Sequence, residues 1–191
     1  MRPKLRIGAP LILVLLLITG CAQMSTSGKP KAADTTNPPP GAVATAGGCG
    51  STQLYTGRIP GWAQDVETED AKPGLTGSPP GPYAVSSPPT AVAFLGISYP
   101  LLSDQTKKTM RYGNKVLWAI QGVPKGELVA VDAYPSGSSS LSASVHYDLG
   151  PGAVSRLGAA LASSLDVPTP GCWQFVLRWA GHSAELSLQY Q

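Results

Sequence analysis

Gly171-Cys172-Trp173-Gln174-Phe175-Val176-Leu177-Arg178-Trp179, then Ala180-Gly181, then His182-Ser183-Ala184-Glu185-Leu186-Ser187-Leu188-Gln189-Tyr190, is the stretch whose reading decides the fold. Trp173, Phe175, Leu177 and Trp179 recur at a spacing of two, with Gln174, Val176 and Arg178 between them. That period belongs to a strand with one buried face. The second run repeats the pattern, with Ala184, Leu186, Leu188 and Tyr190 set against Ser183, Glu185, Ser187 and Gln189. Ala-Gly is short enough for a tight turn, so the two runs read as a hairpin whose aromatic face fills a core layer.

Upstream segments carry the same period. Leu141, Ala143, Val145 and Tyr147 alternate with Ser142, Ser144 and His146, and Val116, Trp118 and Ile120 lie opposite Lys115, Leu117 and Ala119. Glu127–Tyr134 alternates more weakly, and Tyr83–Ser86 reads as a short strand held to an edge by the prolines around it. Thr90–Tyr99 is almost continuously apolar, as a central strand buried on both faces would be. One segment departs: Val154, Leu157, Ala160 and Leu161 fall at helical intervals within Ala153–Ser164, and Gly158 limits the predicted helix to a short one. About seven short strands separated by turn signals predict an all-β, antiparallel β-sandwich over residues 48–191.

The N-terminus has another logic. Arg2, Lys4 and Arg6 precede the apolar run Leu11–Ile18, which ends in Thr19-Gly20-Cys21. A basic end, a short apolar stretch and small residues form a signal-peptide layout, and the run is shorter than the roughly 20 apolar residues that span a bilayer. Ile18-Thr19-Gly20-Cys21 resembles the lipobox of bacterial lipoproteins. That resemblance implies cleavage after residue 20, a diacylglyceryl group on Cys21, and attachment to the outer face of a cell membrane, since two acyl chains hold persistently where one does not. Residues 21–47, rich in Pro, Ser, Thr and Gly, cannot bury enough apolar surface to order themselves and read as a disordered linker, with an r.m.s. reach of about 25–30 Å.

Processing alters the charge. The 191-residue chain carries 14 Lys and Arg against 11 Asp and Glu, a formal charge of +3. Arg2, Lys4 and Arg6 account for that excess, so the mature chain is neutral and has no clustered basic face for nucleic acid. With Cys21 lipidated, Cys49 and Cys172 remain in an oxidising compartment, where a bridge is the default and two separate thiols the alternative.

The Trp118-bearing strand in mid-domain and the late Cys172 resemble an immunoglobulin-like domain, although Cys49 lies well before the position of the usual partner cysteine. Pro60-Gly61-Trp62, Asn114-Lys115-Val116-Leu117-Trp118 and Thr169-Pro170-Gly171-Cys172-Trp173 resemble stretches of small uncharacterised bacterial lipoproteins. The resemblance extends from Cys49 to the C-terminus and implies no activity or functional residues.

Motifs for chemistry are few. His146 and His182 are the only histidines and both sit at polar positions. No Gly-x-Ser-x-Gly elbow, phosphate loop or zinc spacing occurs, so no catalytic residue, metal or cofactor is predicted. Asp65, Glu67, Glu69 and Asp70 have the carboxylate density of a calcium loop without its regular ligand positions, and a solvated acidic loop explains them as well. Trp62 either covers one end of the core or, with Tyr83 and Tyr134, lines a ligand pocket. The sequence therefore predicts a membrane-tethered, non-catalytic module that binds an envelope protein, peptide or polymer, or alternatively presents a small ligand.

Overall fold

The computed structural model of the chain describes residues 38–68, 81–107, 113–138, 145–150, 153–154 and 158–191, with the backbone alone at 65–68, 97, 153 and 154. The predicted hairpin is there. Strand β10 (Gly171–Trp179) and strand β11 (His182–Tyr190) pair antiparallel throughout, from Gly171 opposite Tyr190 to Trp179 opposite His182. Ala180 and Gly181 turn the chain with φ of 42° and 79°. Two consecutive positive φ values define the turn whose twist matches the flanking strands. Trp173, Phe175, Leu177 and Trp179 are at most 3% exposed, as are Ala184, Leu186, Leu188 and Tyr190.

Nine further strands are present among the described residues: β1 (Ala42–Cys49), β2 (Thr52–Gly57), β3 (Tyr83–Val85), β4 (Ala91–Phe94), β5 (Lys115–Gln121), β6 (Val129–Pro135), β7 (Val145–Leu149), β8 (Ala153–Val154) and β9 (Gly158–Ser164). Helix α1 spans Gly61–Thr68. The fold is all-β, as predicted. Its strands run in one continuous order, β7-β6-β10-β11-β1-β2-β3-β4-β5-β9-β8, in place of the expected seven or so. This antiparallel sheet curls until it is nearly closed into a barrel.

Strand β1 turns the corner between the two halves. Ala42–Thr45 pair with β2, the register then shifts, and Gly48 pairs with Leu188 on β11. Gly47 makes the bend feasible: its φ is +104°, and a Cβ there would lie 1.7 Å from the Tyr99 hydroxyl. The linker predicted to run to residue 47 is thus corrected, because Ala42-Val43-Ala44-Thr45 pairs its backbone with β2 although it offers little apolar bulk.

The inner faces of both halves share one core. Leu54, Ala93, Trp118, Ile120 and Leu161 from one half join Val131, Phe175, Leu177, Leu186 and Tyr190 from the other. Burial of such faces, at about 25 cal/mol per Å² of apolar surface, is the main stabilising term. On the first half the outer face is buried too. There Tyr55, Ile59, Ala63, Tyr83, Val92, Phe94 and Ala119 form a second cluster beneath α1. Two covered faces explain why β4 has all four side chains buried, as its continuous hydrophobicity predicted.

The segment predicted as a helix within Ala153–Ser164 forms β8 and β9. Strand β9 pairs with β5 over its full length, placing Leu161 opposite Trp118. That pairing overrides the helical spacing of its alanines and leucines. Gly158 belongs to the same contact, since a Cβ there would meet the Ile120 carbonyl oxygen at 2.1 Å.

Candidate functional site

The outer face above β2 and β3 carries an apolar groove. Cross-strand pairing puts Tyr55 on β2 opposite Tyr83 on β3, and Tyr83 opposite Phe94 on β4. The rings pack side by side, tilted by 34° and 48°, at centroid separations of 5.8 and 6.1 Å. Tyr83 is fully buried and its hydroxyl donates to the Arg58 carbonyl at 2.6 Å. Burial, with Tyr55 beside it, pushes the Tyr83 phenol up to about 12.

Helix α1 packs over β5 and β9 and leaves the β2–β3 strip open. Its start follows from Pro60, whose carbonyl accepts from the N–H groups of Ala63 and Gln64. Ala63 is buried against the sheet, whereas Trp62 next to it is half-buried. Pro39 and Pro40, immediately before β1, are fixed by hydrogen bonds from Ala42 N to Pro39 O at 2.8 Å and from Arg58 N to Gly41 O at 3.3 Å. Together Pro39, Pro40, Tyr55, Pro60, Trp62 and Val85, with Gly61 and Pro89, enclose about 250 Å³.

No charged or amide side chain lines this groove. Its polar equipment consists of the Trp62 indole N–H and the Tyr55 hydroxyl, and neither has a hydrogen-bond partner among the described residues. Tyr55 is 7% exposed, so its hydroxyl belongs to a nearly buried side chain. Leaving such a group unpaired costs about 1–3 kcal/mol, which an acceptor on a bound ligand would recover.

The three residues predicted to share a pocket are only partly brought together. Trp62 lines the groove, Tyr83 lies one layer beneath it, and Tyr134 sits on β6 in the other half of the sheet. Tyr134 faces outward there, so its place in the expected pocket is corrected. The sequence missed Tyr55, Val85 and the prolines. The short apolar run Leu54-Tyr55 was the one signal for Tyr55.

A second polar feature lies on the outer face of β6, β7 and β10. His146 Nδ1 meets Asp132 at 2.8 Å and Nε2 meets Asp148 at 3.3 Å, while Arg178 pairs with the other oxygen of Asp132. Register explains the cluster, since Asp132 stands between His146 and Val176, and Arg178 lies two residues beyond Val176 on the same face. The hydrogen bond to Asp132 holds the His146 pKa above its usual value, and that same bond, with Arg178, holds Asp132 below its own. His182 stacks on Trp179 at 5.9 Å.

Cys49 and Cys172 form a disulfide. Cys21, Glu69 and Asp70 lie outside the described residues, and Asp65 and Glu67 are described only as backbone of α1, so the expected acidic loop begins as a helix. Among the described residues no group of three or more His, Cys, Asp or Glu is arranged to hold a metal ion, and no helix is long and apolar enough to cross a membrane. Comparisons with protein-family models, curated proteins and solved structures give no match.

Proposed function

We propose that the chain is a lipoprotein tethered to the extracytoplasmic face of a cell membrane, and that its β-domain is a non-catalytic binding module that works through the groove beside Trp62. The tether rests on Ile18-Thr19-Gly20-Cys21 and the signal-peptide layout before it. The groove carries the binding part, as an open apolar concavity with two donors that have no partner among the described residues, which suits recognition and supplies no reacting group. An immunoglobulin-like relationship belongs to the same proposal; two antiparallel halves closing on one core support it, and the strand order does not.

Size separates the two kinds of ligand. Sites that engulf a small molecule enclose about 300–1,000 Å³, and this groove is smaller and open. It fits a few side chains of a larger partner better than a whole small ligand, which favours the binding module over a ligand-presenting one.

Metabolic labelling with palmitate tests the tether: label is expected on the wild type and lost in Cys21→Ser. A photo-crosslinking amino acid at Val85, compared in intact cells with one at Gln174 on the far face, tests the module. A discrete adduct is expected from position 85 alone. No adduct, or the same adducts from both positions, would remove the groove from the proposal.

A further inference from the structure

We propose that the Cys49–Cys172 disulfide is a thiol–disulfide exchange site, at which an incoming thiolate bonds to the Cys49 sulfur and Cys172 departs as a thiolate held by the Ser136 hydroxyl. Neither cysteine lines the groove, so this chemistry is independent of the binding role.

The two sulfurs are not equivalent. Pro135 is the last residue of β6 in register with β10, and Ser136 follows it, donating from its N–H to the Cys172 carbonyl at 2.8 Å. That bond sets the serine opposite Cys172. Its hydroxyl then donates to the Cys172 sulfur at 3.1 Å, in an exposed contact. Among the described residues no donor meets the Cys49 sulfur. Sulfur in a disulfide is a weak acceptor, and the same bond strengthens once the sulfur carries a full negative charge. Exchange is faster when the departing thiol is the more acidic, so Ser136 directs the attack to Cys49.

The bond is open to such an attack. Cys172 alternates with buried Trp173 and lies on the outer face of β10, while Cys49 ends β1, and both cysteines are half-buried. A thiolate therefore meets the disulfide without entering the core.

In the first step the S–S bond breaks, a bond forms between the incoming sulfur and Cys49, and an electron pair passes to Cys172, which takes a proton from solvent. A monothiol yields this mixed disulfide. A dithiol completes the reduction: its second thiolate attacks its own first sulfur, Cys49 leaves, and the dithiol is oxidised by two electrons. The substrate class is thus a dithiol.

The reaction opens the joint between the two halves of the sheet. Among the described residues, β1 meets β11 at Gly48 opposite Leu188, and beside it Thr52 Oγ1 accepts from Ser187 N. The β1–β2 and β10–β11 pairs do not involve this joint. Reduction therefore loosens the corner first.

Reduced glutathione is the probe, added to the full chain in mild detergent, with acid quenching, peptic digestion and mass spectrometry to locate the adduct. Glutathione is expected on Cys49, with Cys172 free. The rate should rise with glutathione concentration, fall about threefold to tenfold in Ser136→Ala, and stay within about twofold of wild type in Ser136→Thr, which keeps the hydroxyl. After reduction by dithiothreitol, hydrogen exchange should quicken at the Gly48 and Ser187 amides while Phe175 and Leu177 remain protected. An adduct on Cys172, or one shared equally, would overturn the proposed direction of attack. A rate unchanged in Ser136→Ala would overturn the role of the hydroxyl. A rate indifferent to glutathione concentration would mean that the bond opens only when the whole domain unfolds, and would overturn the site itself. Protection lost equally along β10 would overturn the loosening of the corner.

Discussion

Cys49 and Cys172 are bonded across a sequence separation of 123, with their Cα atoms 5.8 Å apart. The bond ties the end of β1 to the outer face of β10. The β1–β2 turn therefore lies over β11, where Thr52 Oγ1 accepts from Ser187 N at 2.7 Å. Ser136 adds a hydrogen bond to the Cys172 sulfur at 3.1 Å. Because β1 also turns the sheet's corner, the disulfide fixes the meeting of its two halves.

On the chain-entropy model, closing a loop of this length stabilises the fold by about 4–5 kcal/mol. Replacing both cysteines by serine is expected to remove most of that in denaturant unfolding. Dithiothreitol should destabilise the wild type and leave the double variant unchanged. A wild-type midpoint indifferent to reductant would contradict the assignment.

The β10–β11 turn holds Ala180 at a φ of 42°, a conformation that costs an L-residue about 1–2 kcal/mol. Asparagine tolerates it better and favours this turn when glycine follows. Ala180→Asn should therefore raise stability by about 1 kcal/mol, or a few degrees in Tm for a domain of this size. Ala180→Val should lower it. Calorimetry of the two variants decides, and the opposite order would show that the turn is misread.

His146 gives the domain a pH dependence with a defined sign. Its pKa is raised above 6.5 in the folded protein, first by the hydrogen bond to Asp132 and then by Asp148. That contribution is complete below 6.5 and is lost as pH rises through the raised value. Asp132, lowered from 3.8 by His146 and Arg178, contributes above 3.8 and loses its contribution as pH falls through the lowered value. The Tm difference between wild type and His146→Gln should be greatest between 3.8 and 6.5 and shrink above it. A gap that stays constant to pH 9 would refute this pairing.

The sequence revealed the hairpin because a strand with one wet face shows its period. It concealed β9 because Ala159, Ala160 and Ala162 favour helix on their own, and pairing with Ile120, Ala119 and Leu117 on β5 overrode that preference. Helix α1 was hidden in an acidic stretch, its one signal being Pro60 just ahead of it. The groove was hidden more deeply: Trp62 was visible as a candidate, but Pro39, Tyr55, Val85 and Pro89 meet it only through the order β1-β2-β3-β4. Tyr134 looked equivalent to Tyr83 in sequence, and sheet topology put them in different halves.

Trp173 is the sharpest test of the hairpin face itself. It is 1% exposed, stands opposite Leu188 on β11 and Pro135 on β6, and donates from its indole nitrogen to the Thr169 carbonyl at 2.9 Å. Truncation to alanine removes a large buried surface and leaves a cavity between strands that cannot collapse without breaking their pairing, a loss of about 3–5 kcal/mol. Gln174 follows it in sequence but lies on the outer face, where its amide meets Glu185 at 2.9 Å. Gln174→Ala should therefore stay within about 0.5 kcal/mol of wild type. Urea unfolding of both variants, with the disulfide intact, measures the contrast. Equal effects would mean that the alternation does not divide inside from outside, and a large effect of Gln174 alone would mean that the face is reversed.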